Sequence, residues 1–170
     1  MRRGRPMGGR VPGPGVSGGT EPVTAEQMWA EFASGRGLDD TPYEAWAYGG
    51  DADALARLTL AGKKTATSSA LPLYGLEGAP LPEAGEYSVI LDSRKQAVCV
   101  IRTERVAVVP YRDVTADHAR REGEGDCSLA FWRQVHEAFF TEELARAGMV
   151  FRQDLPVVCE EFVKVYSQPT

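Results

Sequence analysis

The hydrophobic pattern of this chain changes period three times, dividing it into helices, strands, helices again and closing strands. Thr24-Ala25-Glu26-Gln27 has the form of a capping box, and Met28, Trp29 and Phe32 follow it as an apolar stripe. The same logic predicts a second short helix, with Thr41 as cap, Pro42 in the first position and Glu44 closing the box. In it Tyr43, Trp46 and Ala47 face inward, and Gly49-Gly50 end it. Asp51 caps a third helix carrying Leu55, Leu58 and Leu60, with Gly62 as a left-handed stop.

Beyond a polar stretch and a Pro/Gly-rich loop over Ala79–Gly85, residues Glu86–Leu91 alternate as a strand. Asp92–Lys95 forms a hairpin turn, and Gln96–Val109, rich in β-branched residues, is one long or bent strand. Helical spacing returns over Thr115–Glu122, Ser128–Phe140 and Thr141–Ala147. Strands follow at Met149–Arg152 and Val157–Tyr166, separated by Pro156. This order predicts an α+β domain with a mainly antiparallel sheet rather than a βαβ repeat.

Residues 1–20, dominated by Gly, Pro and Arg, offer too little apolar surface to offset the entropy of ordering, so a disordered and dispensable tail is expected, with the domain over 21–170. Two glycine motifs there, Gly13–Gly18 as G-x-G-x-x-G and Gly15–Gly19 as G-x-S-x-G, lack the strand and helix their mechanics require. That tail holds four of the 19 basic residues and no acid. The remainder therefore sets 15 basic against 24 acidic side chains, a formal charge of −9. A body so acidic repels polyphosphate at long range, which argues against broad RNA binding and for a local pocket.

Cys99, Cys127 and Cys159 have no C-x-x-C spacing, which predicts free thiols, those of Cys99 and Cys159 buried, in a cytoplasmic protein. No apolar run reaches the roughly 18 residues of a membrane helix, and neither a cofactor nor a metal is expected.

Candidate chemistry gathers in Gly62-Lys63-Lys64-Thr65-Ala66-Thr67-Ser68-Ser69, where two ammonium groups and four hydroxyls follow a helix stop able to aim backbone N–H groups at an oxyanion. The plainer reading is a polar loop capping the preceding helix. Trp46 and Tyr48 stand near it as candidate base-stacking residues, against an alternative of simple packing. Glu122, Glu124 and Asp126 offer oxygen ligands, an arrangement that seldom holds Mg²⁺ in a glycine-rich connection. His118 is read as a helix-capping residue and His136 as lying beside the wet face of its helix, with a proton carrier as the alternative for either.

Gly62–Thr67 resembles the G-x-K-x-x-T signature of ASCH domains. Tyr48-Gly49 with the Leu55–Leu60 helix is similar to the lead-in of their larger members, and Thr115–Gly123, Trp132 and the strand Glu161–Tyr166 agree in order. The resemblance covers roughly residues 24–166. It implies a PUA-like β-barrel flanked by short helices, with a modified nucleoside or RNA as partner. In small members acting as amidohydrolases on N4-acetylated cytidine, a lysine, a threonine and a glutamate form the site, which implies Lys64, Thr67 and Glu122 as catalytic residues here. Lys63, Thr65, Ser68, Trp46 and Tyr48 are the implied substrate contacts. The alternatives are a Lys64–Glu122 pair that only fastens loop to helix, an RNA-binding module, and a metal-dependent ribonuclease. Ser68-Ser69 follow Thr67 where the small amidohydrolases tend to carry an arginine after one intervening residue, and the N-terminal helices are additional.

Overall fold

A computed structural model describes residues 22–169; the expected tail lies outside the described residues. Helix α1 (Ala25–Ala33) begins with the expected capping box: the Thr24 amide donates to Gln27 Oε1 at 2.8 Å and the Gln27 amide to Thr24 Oγ1 at 3.2 Å. Helix α2 (Ala52–Leu60) is capped by Asp51, as read from its sequence.

Between them the predicted second helix is instead strand β1 (Tyr43–Ala47), paired in parallel with β3 (Tyr87–Leu91). The Thr-Pro-x-Glu pattern is a local signal only. An available sheet edge supplies the backbone partners, and alternation then serves two cores at once. Tyr43 and Ala45 pack beside α1, with Tyr43 stacked on Trp29 at 4.6 Å, whereas Trp46 and Tyr48 pack beside Leu55 and Ala56 of α2.

The polar stretch also departs from its expected loop. Ala66–Ala70 forms strand β2, buried along its whole length and antiparallel to β5 (Pro156–Tyr166). Helix α3 (Leu71–Glu77), outside the expected helices, follows directly with Pro72 in its first turn. Strand β4 (Ala97–Pro110) is the predicted long strand, its register shifting near Val100 and Thr103 as it bends from β3 toward β5.

Helix α4 (Ala116–Glu122) agrees with its prediction. The two helices expected after it are one, α5 (Leu129–Arg146). The expected strand Met149–Arg152 is an irregular connection, and Phe151 meets Tyr111 edge-on at 4.9 Å. Pro156 opens β5 rather than separating two strands, because the first position of a strand tolerates a missing N–H.

The five strands lie in the order β1-β3-β4-β5-β2, antiparallel except for β1 with β3. They form the half-barrel of an α+β, PUA-like fold, as expected. No helix of the described residues is long and apolar enough to cross a membrane.

Candidate active site

Three elements converge on Glu122. The turn after α2 delivers Lys64, β2 delivers Ser68, and the last position of α4 supplies the carboxylate, while α5 covers it with Trp132 and His136. The approach is close because Gly123 ends α4 at φ +68°, where a Cβ would lie 2.4 Å from the Lys63 carbonyl oxygen. The Thr65 amide donates to the Arg121 carbonyl at 2.7 Å, satisfying an orphan acceptor of the helix end.

Lys64 and Glu122 are both fully buried, with Nζ 3.1 Å from Oε1, and Glu124 Oε2 lies 3.6 Å from the same ammonium. The Tyr48 ring lies under Nζ at 5.2 Å. The second oxygen of Glu122 accepts from Ser68 Oγ at 2.7 Å and from the Trp132 indole N–H, with His118 Nε2 and His136 Nε2 each 3.3 Å away. Ser68 Oγ is also 2.7 Å from His118 Nε2.

Burial alone would raise the Glu122 pKa, yet Lys64, His136 and the bond to His118 hold it well below the carboxylate range. Burial pushes His118 down, but Cys159 and Glu122 outweigh it and hold the imidazole up to about 9. His136 stacks on Trp132 at 4.1 Å and donates from Nδ1 to the Trp132 carbonyl at 2.9 Å, which leaves Nε2 facing Glu122.

Of the residues singled out as catalytic, Lys64 and Glu122 are in direct contact. Thr67 sits on β2 opposite Glu160, 1% exposed, and its hydroxyl has no hydrogen-bond partner. Among the residues singled out as substrate contacts, Ser68 joins the network, Lys63 is exposed, and Thr65 bonds the Arg121 carbonyl through both its amide and its hydroxyl. Trp46 and Tyr48 are 4% and 2% exposed and meet edge-on at 5.0 Å, so both rings are core members in this conformation. The expected burial of Cys99 and Cys159 is observed, and all three thiols are free.

The favoured placement of both histidines, at a cap and at the wet face, is corrected by the structure. The His118 amide does cap on Thr115, but its ring turns inward, and His136 is 1% exposed rather than on the wet face. A signal existed: His118/Glu122 and Trp132/His136 are two pairs four residues apart, each on one helix face.

Glu122, Glu124 and His136 present ligand-type atoms within 4.8 Å of one another. Asp126, expected among the acidic ligands, instead accepts from the Ser128 amide. The Lys64 ammonium lies against both carboxylates, so the donor set does not fit a divalent cation while that lysine is in place. The network meets solvent at a cleft of about 150 Å³ whose walls include His118, Cys159, Thr115 and Arg121.

Comparisons with known proteins agree on the fold. The crystal structure of an ASCH domain from Lactobacillus crispatus JV V101 shares 32% identity, with a TM-score of 0.78, over 83% of this chain and 93% of that one. A protein of Enterococcus faecalis V583 shares 35% identity, with a TM-score of 0.74, over 82% and 86%. No significant match is found among curated proteins. The family model of the ASCH domain matches residues 44–166, and the chain therefore belongs to the ASCH domain family.

Proposed function

We propose that this protein is a nucleoside-directed hydrolase that cleaves an exocyclic N-acyl group, as in N4-acetylcytidine, with Thr67 as nucleophile, Lys64 as base and Glu122 as the partner of Lys64. The observation that carries this reading is the Thr67 hydroxyl, buried without a partner and three positions along the chain from a buried lysine. An unsatisfied buried hydroxyl is a net cost to folding, and such costs persist where a ligand or reaction uses the group.

Neutral Lys64 takes the Thr67 proton as Oγ attacks the acyl carbon. The resulting ammonium gives that proton to the departing amine nitrogen as the C–N bond breaks. Water then attacks the Thr67 ester, Lys64 again moving the proton, and the carboxylic acid leaves. Glu122 holds the ammonium in line throughout.

The test is hydrolysis of N4-acetylcytidine by the full chain. Lys64→Ala and Thr67→Val should each reduce turnover by more than about a hundredfold, and chelator should leave it unchanged. Thr67→Val should also leave the melting temperature unchanged or higher, because it removes a hydroxyl that has no partner. An inactive wild type that binds RNA through Lys64 would make the protein a binding module. RNA cleavage abolished by chelator would make it a metal-dependent ribonuclease.

A further inference from the structure

The site as it stands poses a problem of proton traffic. Lys64 lies 3.1 Å from the Glu122 carboxylate with both side chains fully covered, so a base on this lysine must first release a proton that has no direct exit to solvent. A continuous hydrogen-bonded path leads out. Glu122 Oε2 lies 2.7 Å from Ser68 Oγ, Ser68 Oγ lies 2.7 Å from His118 Nε2, and the His118 side chain, 7% exposed, lines the cleft. We propose that His118, acting through Ser68, is the proton relay between the buried Lys64–Glu122 pair and this cleft, a role that rests on the hydrolase reading for its use in turnover.

A serine hydroxyl suits the middle position because it donates and accepts at once. In one state His118 Nε2–H donates to Ser68, and Ser68 donates to the Glu122 carboxylate. In the other the protonated carboxyl donates to Ser68, and Ser68 donates to His118 Nε2. Passing between them moves one proton from carboxyl to imidazole with none created or lost, and the imidazolium then gives it to solvent in the cleft. The carboxylic acid formed in each turnover releases one proton near neutral pH, which this path carries away.

The surroundings favour the protonated ring while leaving it at the edge of the cleft. Cys159 of β5 and Glu122 of its own helix favour the imidazolium, holding it up to about 9 against the effect of burial. Around the cleft, Asp113, Asp117 and Glu161 face Arg105 and Arg121, so charges of both signs surround the ring. From α5 the Trp132 ring meets it edge-on at 6.3 Å, and His136 reaches the same Glu122 oxygen from the far side.

Two measurements on the full chain decide the matter. In histidine-labelled protein followed by NMR, His118 should titrate near 9, Glu122→Gln should move its midpoint down by at least about one unit, and Ser68→Ala, which removes the hydroxyl joining the two, should also move it down. A midpoint near 6.5 that ignores both substitutions overturns the relay, whether or not the protein hydrolyses anything. With N4-acetylcytidine, His118→Gln should lower kcat about tenfold or more, change KM less than about twofold and shift the pH profile, with added imidazole restoring part of the rate through the cleft. Equal loss at every pH without imidazole rescue would reduce His118 to a packing residue. An inactive wild type sinks the hydrolase reading, and the titration alone then decides whether the coupled path exists.

Discussion

The sheet carries two interiors built on opposite principles. Beside α1, Trp29, Phe32, Tyr43 and Tyr87 form an aromatic cluster with ring centroids 4.6–5.6 Å apart, and Met28, Val89 and Val100 fill the remaining space. Its polar contacts stay at the rim, where the Tyr166 hydroxyl donates to Glu31 at 3.0 Å. Beside α4 and α5, Lys64, Ser68, His118, Glu122 and His136 are buried to a similar degree but are held by mutual satisfaction of charge. Apolar burial depends on volume and tolerates exchange of shape. A buried charge network depends on each partner and tolerates little. The difference separates a scaffold from a site: a buried ion pair adds little stability over apolar packing, so its presence needs a reason beyond folding.

The sharpest way to break this contrast is an isosteric change on the charged side. Glu122→Gln should cost about 3–5 kcal/mol in denaturant unfolding, toward the lower end because Glu124 remains 3.6 Å from the ammonium. For that reason an alanine at this position is a poor test of catalysis alone. A change under about 1 kcal/mol would show that the network tolerates loss of a partner as the aromatic side does.

Stability against pH offers the next contrast. Glu122, held low by Lys64, contributes stability above the unfolded carboxylate pKa of about 4.3, lost as pH falls through its depressed value. His118, held up to about 9, contributes fully below its unfolded value of about 6.5 and loses that contribution as pH rises through 9. Stability should therefore peak near pH 5–6.5 and fall by up to about 3 kcal/mol toward pH 9, a decline absent in His118→Gln. An unchanged decline in that variant would place its origin elsewhere.

The smallest effect belongs to the aromatic side. Met28→Leu, at a position 1% exposed, conserves volume and should cost less than about 1.5 kcal/mol, with no change in the pH dependence of stability. A larger loss would show that this cluster is specified by shape as tightly as the network is by charge.

The residues on which the two interiors turn differed in how legible they were. Met28, Trp29 and Phe32 announced an amphipathic helix, and Gly62 and Lys64 carried the signature of the family, because both signals are local. Thr41–Gly49 misled, since a capping pattern says nothing of a vacant sheet edge nearby. Thr67, Ser68 and Ser69 read as solvated loop because hydroxyls favour turns when they have only water for partners. Here Glu122 accepts from Ser68 and Tyr74 shares a hydrogen bond with Ser69, and with those partners the strand is buried.

What the sequence by itself determined is the α+β order, the helix caps at Thr24 and Asp51, the long strand through Val106, and the signature stretch Gly62–Thr67. These follow from hydrophobic period, from residues that bond within a few positions, or from a motif held in one stretch of chain. What only the tertiary structure decided is the company Glu122 keeps: His118 turned inward from a capped helix start, and His136 brought from fourteen residues away. Neither histidine belongs inside on its own account. Each stands beside a carboxylate buried by other elements, a neighbour that no local pattern specifies.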